Sequence, residues 1–106
     1  MSVIEERRRY PRTNAPTNLL VAWQTGSNKG VSRLETIALG GLFIRTEEPV
    51  ASQSLVRLLV EAPNGDVRAR AIVRRVVAKK GMALEFVAMN QEDRARLSQY
   101  LRRLAA

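Results

Sequence analysis

The chain has 106 residues, of which 45% are hydrophobic, a size and composition typical of one small globular domain with a modest core. Lysines and arginines outnumber acidic residues by 18 to 10, and the resulting net charge of +8 favours anionic partners. The absence of cysteine and histidine excludes disulfides, the common zinc sites and histidine acid–base chemistry.

The first notable feature along the chain is a cluster of arginines at Arg7, Arg8, Arg9 and Arg12. Pro11 lies inside this cluster and disfavours a helix there. The planar guanidinium group binds phosphate and guanine edges through paired hydrogen bonds and also stacks on bases. We therefore expect residues 1–16 to form a flexible basic segment that becomes ordered when a ligand binds.

Alternating apolar and polar residues predict a series of short strands after this segment. The sequence Pro63-Asn64-Gly65 predicts a hairpin turn, because proline presets φ and Asn-Gly tolerates positive φ. The adjacent Arg74 and Arg75 interrupt the alternation of the strand that follows and predict a β-bulge. The six predicted strands cover residues 19–24, 31–37, 42–46, 54–61, 67–77 and 82–86.

A single helix is predicted at the end of the chain. Asn90 is a suitable N-cap, Asp93 occupies the capping-box position, and an apolar stripe follows. We expect this stripe, Leu97, Tyr100, Leu101 and Leu104, to pack against the strands. The predicted fold is mainly β: a small antiparallel six-stranded β-barrel with a C-terminal α-helix, within residues 17–106.

The sequence offers no recognisable catalytic machinery. Its carboxylates are scattered, and it contains neither a Walker-type phosphate loop nor a dinucleotide-binding glycine pattern. We expect a binding module, not an enzyme, with no cofactor or metal. Because no apolar run could cross a bilayer and the N-terminus lacks a secretory signal, we also expect no transmembrane segment and a cytoplasmic location.

Taken in order, these segments resemble the PilZ domain, the bacterial receptor module for cyclic di-GMP. The resemblance extends from about Glu6 to Leu104. Arg8-Arg9-Tyr10-Pro11-Arg12 matches the family's first motif, two arginines separated by three residues. The stretch from Thr36 to Gly41 corresponds to the second motif, which is Asp or Asn, any residue, Ser, two residues, Gly. The strand at 81–87 and the helix at 90–104 are also similar to the family's closing elements.

The resemblance implies a non-catalytic cyclic di-GMP receptor whose arginine segment closes over the ligand and signals to an unidentified downstream protein. Arg8 and Arg12 would clamp the ligand, Gly41 would let it approach the backbone, and Arg7 and Arg9 would be auxiliary contacts. Thr36 replaces the family's acid or amide and Ala38 its serine, so binding would be weakened. The alternative is a degenerate PilZ domain that binds no nucleotide and acts as a protein-interaction adaptor. A third possibility is general nucleic-acid binding, which would depend on net charge alone, and we expect no specific nucleic-acid partner. Arg70, Arg74 and Arg75 would add to the positive electrostatic field of the domain.

Overall fold

The computed structural model describes residues 13–14 and 19–105. These residues form seven antiparallel strands followed by one helix. The elements are β1 (Thr13–Asn14), β2 (Leu20–Thr25), β3 (Asn28–Ala38), β4 (Gly41–Arg45), β5 (Leu55–Ala62), β6 (Gly65–Val77), β7 (Gly81–Ala88) and α1 (Gln91–Ala105).

The strands form a closed barrel. They are hydrogen-bonded in the order β1-β3-β2-β5-β6-β7-β4, and a further pairing between β3 and β4 closes the six strands from β2 to β7. The predicted six-stranded antiparallel barrel with a C-terminal helix is thereby confirmed. Closure satisfies the hydrogen-bonding groups that would otherwise be exposed at the two edges of the sheet.

Strand β1 is an addition that the sequence did not predict. It pairs with the end of β3, through Thr13 opposite Ile37 and Asn14 opposite Thr36. Two residues are too few for an alternating pattern, so this pairing leaves no signal in the sequence. Most of the segment 1–16 lies outside the described residues, and its ordering on ligand binding stays a prediction.

Strand β3 belongs to two parts of the barrel at once. Its residues 28–33 pair with β2, and its residues 33–38 pair with β4. A register shift between Leu34 and Thr36 places an extra residue in β3 at this change of partner. Such a bulge bends a strand and increases its twist, which allows β3 to turn from one neighbour to the other.

The barrel interior is filled by alternate residues of the strands, as the sequence patterns predicted. On β6 the predicted bulge is present as a register shift between Val73 and Arg75. Four inward-facing positions of β6 are at most 9% exposed, whereas Arg68, Arg70 and Arg74 are exposed. The fully buried interior side chains include Val21, Leu34, Ile37, Leu42, Ile44, Val56, Val60, Val67, Val73 and Met82.

The chain's one tryptophan links two strands inside the barrel. Trp23 on β2 is 8% exposed, and its indole Nε1 donates a hydrogen bond of 2.9 Å to Oγ of the buried Ser32 on β3. A Cβ atom at Gly30 would come within 2.7 Å of the indole ring. Position 30 therefore needs glycine, because any larger residue would collide with the indole ring of Trp23.

Helix α1 begins at the predicted cap, and its apolar side packs against the core. Oδ1 of Asn90 accepts a 2.8 Å hydrogen bond from the amide of Asp93, and Leu97 and Tyr100 are buried. The helix is also tied to the β5–β6 hairpin. Nδ2 of Asn64 donates to the carbonyl of Arg96 at 3.0 Å, and Nη1 of Arg96 donates to the carbonyl of Asp66 at 2.7 Å.

Removing the helix cap should destabilise the fold. Asn90→Ala deletes the acceptor for the Asp93 amide, and we expect the free energy of unfolding to fall by about 1 kcal/mol. Asn90→Asp keeps an acceptor at the same position and should retain most of the stability. Urea unfolding of both variants checks this, and equal losses in the two would show that the side-chain oxygen does not act as a cap.

The hydroxyl of Tyr100 is an unusual buried group. It has no hydrogen-bond partner among the described residues. Burial raises the pKa of Tyr100 above its ordinary value, because ionisation is unfavourable away from water. The folded state therefore favours the neutral phenol. Above a pH of about 10 the unfolded chain loses the phenol proton before the folded chain does, so the free energy of unfolding falls as the pH rises.

Replacing Tyr100 with phenylalanine should be neutral or stabilising. The change removes a hydroxyl that no described residue partners, so we expect the free energy of unfolding at pH 7 to stay equal or to rise by up to about 1 kcal/mol. The variant should also lose less stability than the parent protein as the pH rises above about 10. Urea unfolding at pH 7 and above a pH of about 10 measures both effects. A clear loss of stability at pH 7 would contradict the expectation.

Candidate functional site

The second motif occupies the end of β3 and the beginning of β4. Ala38 pairs with Gly41, and Thr36 pairs with Phe43 across the β3–β4 ladder. Ile37 lies between Thr36 and Ala38 and is completely buried in the core. Because successive side chains of a strand point to opposite faces, Thr36 and Ala38 both lie on the outer face of the barrel. The structure therefore brings the predicted site residues Thr36, Ala38 and Gly41 together.

The arginine motif itself, Arg7, Arg8, Arg9 and Arg12, lies outside the described residues. The chain directly after it is described, however, and it forms β1 beside the second motif. Asn14 pairs with Thr36 on the edge of β3 opposite to β4. The second motif is thus flanked by β4 on one side and by the continuation of the arginine segment on the other.

Gly41 has a structural reason to be glycine. A Cβ atom at this position would collide with the carbonyl oxygen of Leu84 and would come within 3.2 Å of the Cα of Glu85. The missing side chain therefore allows β4 and β7 to approach each other. The other expected role of Gly41, which is to let a ligand approach the backbone, stays a prediction.

Sequence reasoning missed Glu85, which is opposite Gly41 in the β4–β7 register. We call the surface formed by Thr36, Ala38, Gly41 and Glu85 the motif rim. Nε of Arg74 donates a 2.6 Å hydrogen bond to the Glu85 carboxylate, and Nη1 of Arg74 donates to Oε1 of Gln53 at 3.1 Å. The rim thus includes a carboxylate that is already engaged by a guanidinium. Glu85 could be found only from the pairing of β4 with β7, because the sequence predicted these strands but not their register.

The hydroxyl of Thr36 is buried and unpartnered within the part of the chain that the structure describes. It is exceptional because buried polar atoms are nearly always hydrogen-bonded. Thr36 lines a groove of about 740 Å³ together with Phe43 and several cations. The cations of this groove are Arg45, Arg75, Lys79 and Lys80, and its carboxylates are Glu35 and Glu47.

This groove has an excess of positive charge beside the motif rim. Of its cations, Arg45 lies 3.6 Å from Glu35 across an exposed ion pair, a contact that contributes little to stability. The three arginines that the sequence grouped together occupy different places. Arg75 lines this groove, Arg74 binds the Glu85 carboxylate, and Arg70 lies elsewhere on the barrel surface.

Features of metal sites and of membrane-spanning helices are absent from the described part of the chain. No group of three or more acidic residues that could hold a metal ion is found in the residues described above. Over the same residues, no helix has the length and apolar character needed to span a membrane.

Comparison with known proteins identifies the family of this barrel. The family model described as PilZ domain matches residues 6–103. No curated protein matches the sequence. Among solved structures, the Bacillus subtilis inhibitor of motility, MotI/DgrA, is similar with a TM-score of 0.77 and 28% identity, over 92% of this chain and 51% of that one.

Two further structures share the fold. The PilZ domain of YcgR from Escherichia coli, solved with c-di-GMP, has a TM-score of 0.75 and 16% identity, over 93% of this chain and 92% of that one. The K. pneumonia MrkH–c-di-GMP complex has a TM-score of 0.76 and 18% identity, over 93% of this chain and 52% of that one. The chain spans about half the length of the B. subtilis and K. pneumonia proteins. Since the family model covers nearly the whole sequence and the closed barrel with its terminal helix agrees with it, the chain belongs to the PilZ domain family.

Proposed function

We propose that this PilZ domain is a non-catalytic receptor for cyclic di-GMP. In this proposal Arg8 and Arg12 clamp the phosphates and guanine edges, while Thr36, Ala38 and Gly41 form the surface that receives the ligand. Arg7 and Arg9 are auxiliary contacts. Closure of the arginine segment creates the surface that a downstream protein recognises, and a cytoplasmic location is part of the same proposal.

The pairing of β1 with β3 is the observation that carries the proposal. Thr13 pairs with Ile37, which lies between Thr36 and Ala38. Arg12 directly precedes Thr13 in the sequence. The arginine motif is therefore continuous in sequence with the strand that pairs with the second motif.

The hydroxyl of Thr36, which has no partner within residues 13–14 and 19–105, and the surrounding charge also support ligand binding. A buried hydroxyl without a partner gains a full hydrogen bond when a ligand supplies one. The adjacent groove adds Arg75, Lys79 and Lys80, whose charges attract a dinucleotide with two phosphates. In E. coli YcgR and K. pneumonia MrkH the same fold is found in complex with c-di-GMP.

The adaptor function is the second candidate, and Ala38 is the observation that favours it. This position is 5% exposed and has no hydroxyl, so it cannot donate or accept the side-chain hydrogen bond that the family's serine provides. An adaptor would keep the barrel and its surfaces without nucleotide affinity.

Removal of either clamp arginine should weaken nucleotide binding. A hydrogen bond to a charged group is worth about 1.5–3 kcal/mol, so we expect Arg8→Ala and Arg12→Ala each to raise the Kd for cyclic di-GMP by roughly 10- to 150-fold. Isothermal titration calorimetry on the intact chain measures this. Arg103→Ala, at an exposed position of the last helical turn, is the matched control and should bind like the parent protein. Absence of heat from the parent protein at high nucleotide concentration would favour the adaptor.

Restoring the family's polar groups in the second motif should tighten binding. Thr36→Asp combined with Ala38→Ser supplies a carboxylate and a hydroxyl on the outer face of β3. We expect the Kd for cyclic di-GMP to fall by about tenfold or more, because each group adds one hydrogen bond. The same titration with GTP serves as the specificity control, and its affinity should not improve. An unchanged Kd for cyclic di-GMP would contradict the assignment of Thr36 and Ala38 to the motif.

A further inference from the structure

A second groove, of about 1070 Å³, lies on the strands β2, β3, β5 and β6. Its residues alternate along these strands with Trp23, Leu58 and Ala69, which are buried in the core, so the groove lies on the outer face. We call this surface the basic groove and define it by its cations and by the apolar residues between them. The cations are Lys29, Arg57, Arg68 and Arg70, and the apolar floor is formed by Ala22 and Leu59.

The cross-strand register explains how the cations come together. Gln24 on β2 is opposite both Lys29 on β3 and Arg57 on β5. Arg57 in turn is directly opposite Arg70 on β6. A single row across four strands therefore carries three cations.

The Arg57–Arg70 pair is unfavourable for the barrel alone. Like charges at directly opposed positions of an antiparallel pair destabilise the sheet. Among the described residues, no carboxylate lies within ion-pair distance of either guanidinium. Asp93 lines one end of the groove, but it is 6% exposed and its carboxylate is bound by Arg96 at 3.1 Å. The groove therefore has unneutralised positive charge.

An apolar strip runs beside this row. Ala22 pairs with Val31 on β3 and with Leu59 on β5, so the three side chains are neighbours on the outer face. Val31 is 66% exposed and Leu59 is half-buried, while the nearby Leu20 is 42% exposed. Phosphate groups alone would leave this apolar area in water, so the groove favours an occupant with both acidic and apolar groups.

We propose that the basic groove docks an acidic amphipathic segment of a partner protein. The carboxylates and apolar side chains lie on one face of the segment, where the carboxylates face Arg57 and Arg70 and the apolar side chains cover Ala22 and Leu59. Exposed guanidinium groups suit this role because they bind carboxylates through two parallel hydrogen bonds. The complementary charges also accelerate association with the acidic segment.

Other occupants fit the observations less well. A second copy of this chain would place the same cations against each other in a symmetric contact. Single-stranded nucleic acid binds through exposed aromatic rings, and the aromatic residue beneath this groove, Trp23, is 8% exposed. A flat bilayer surface does not follow a concave groove.

This inference does not depend on nucleotide binding. The basic groove uses the first half of β3, with β2 and β5, whereas the motif rim uses the second half of β3 and β4. Failure of cyclic di-GMP to bind would leave the groove and its charges unchanged. The two proposals are therefore tested by different variants and different ligands.

Arg57→Glu tests the docking proposal, because it affects folding and docking in opposite directions. It converts the Arg57–Arg70 pair into a pair of opposite charges, so the thermal midpoint should stay equal or rise. It also places a carboxylate where the segment's own carboxylate would lie. The probe is a fluorescein-labelled peptide in which glutamate and leucine take turns at every second position with serine between them, so that both share one face of an extended chain. We expect its binding to weaken by at least about tenfold in anisotropy titrations at about 0.15 M salt.

Two further variants separate the contributions of charge and apolar area. Arg102→Glu makes the same change of net charge in the last turn of α1 and should alter the peptide Kd by less than about twofold. Val31→Ser, at a position that is 66% exposed, should weaken the peptide about threefold while leaving the fold intact. No peptide binding to the parent protein, or equal losses in Arg57→Glu and Arg102→Glu, would overturn the proposal. Tighter, Arg57-dependent binding of duplex DNA or phosphatidylglycerol vesicles would overturn it as well.

Discussion

The barrel depends on the bend in β3. The register shift between Leu34 and Thr36 lets one strand pair with β2 along its first half and with β4 along its second. Without that change of partner the sheet would remain open, and the end of β3 would not lie between β1 and β4. The same bend separates two outer surfaces, because Val31 lies before it in the basic groove and Thr36 lies after it at the motif rim.

Much of this architecture was predictable because local physics dominates it. Alternating side chains specified the six barrel strands, and the interruption at Arg74 and Arg75 gave the bulge of β6. The cap at Asn90 and the apolar stripe gave the helix, since both signals lie within a few residues of each other. The membership of the PilZ family followed from the order of the arginine motif, the glycine at the start of β4 and the closing helix.

The sequence predicted less about the surfaces, because these depend on which strands become neighbours. Glu85 reaches the motif rim only through the pairing of β7 with β4, and Arg57 meets Arg70 only through the pairing of β5 with β6. The steric role of Gly41 also becomes visible only when the Leu84 carbonyl is placed against it. The turn at Asn64 and Gly65 fixes the register of the β5–β6 hairpin, but β4 and β7 are distant in the sequence and no local turn sets theirs. In the two proposals, a ligand site and a docking site share one barrel.

The position of Trp23 has a practical consequence for studying both surfaces. The chain has one tryptophan, and its indole is fixed between Gly30 and the hydroxyl of Ser32, on the strand that joins the two halves of the barrel. Trp23 also belongs to the lining of the basic groove. Fluorescence excited selectively from tryptophan therefore arises from a single indole in the unlabelled protein. Its emission reports whether the β2–β3 contact persists, with no contribution from a second indole to separate.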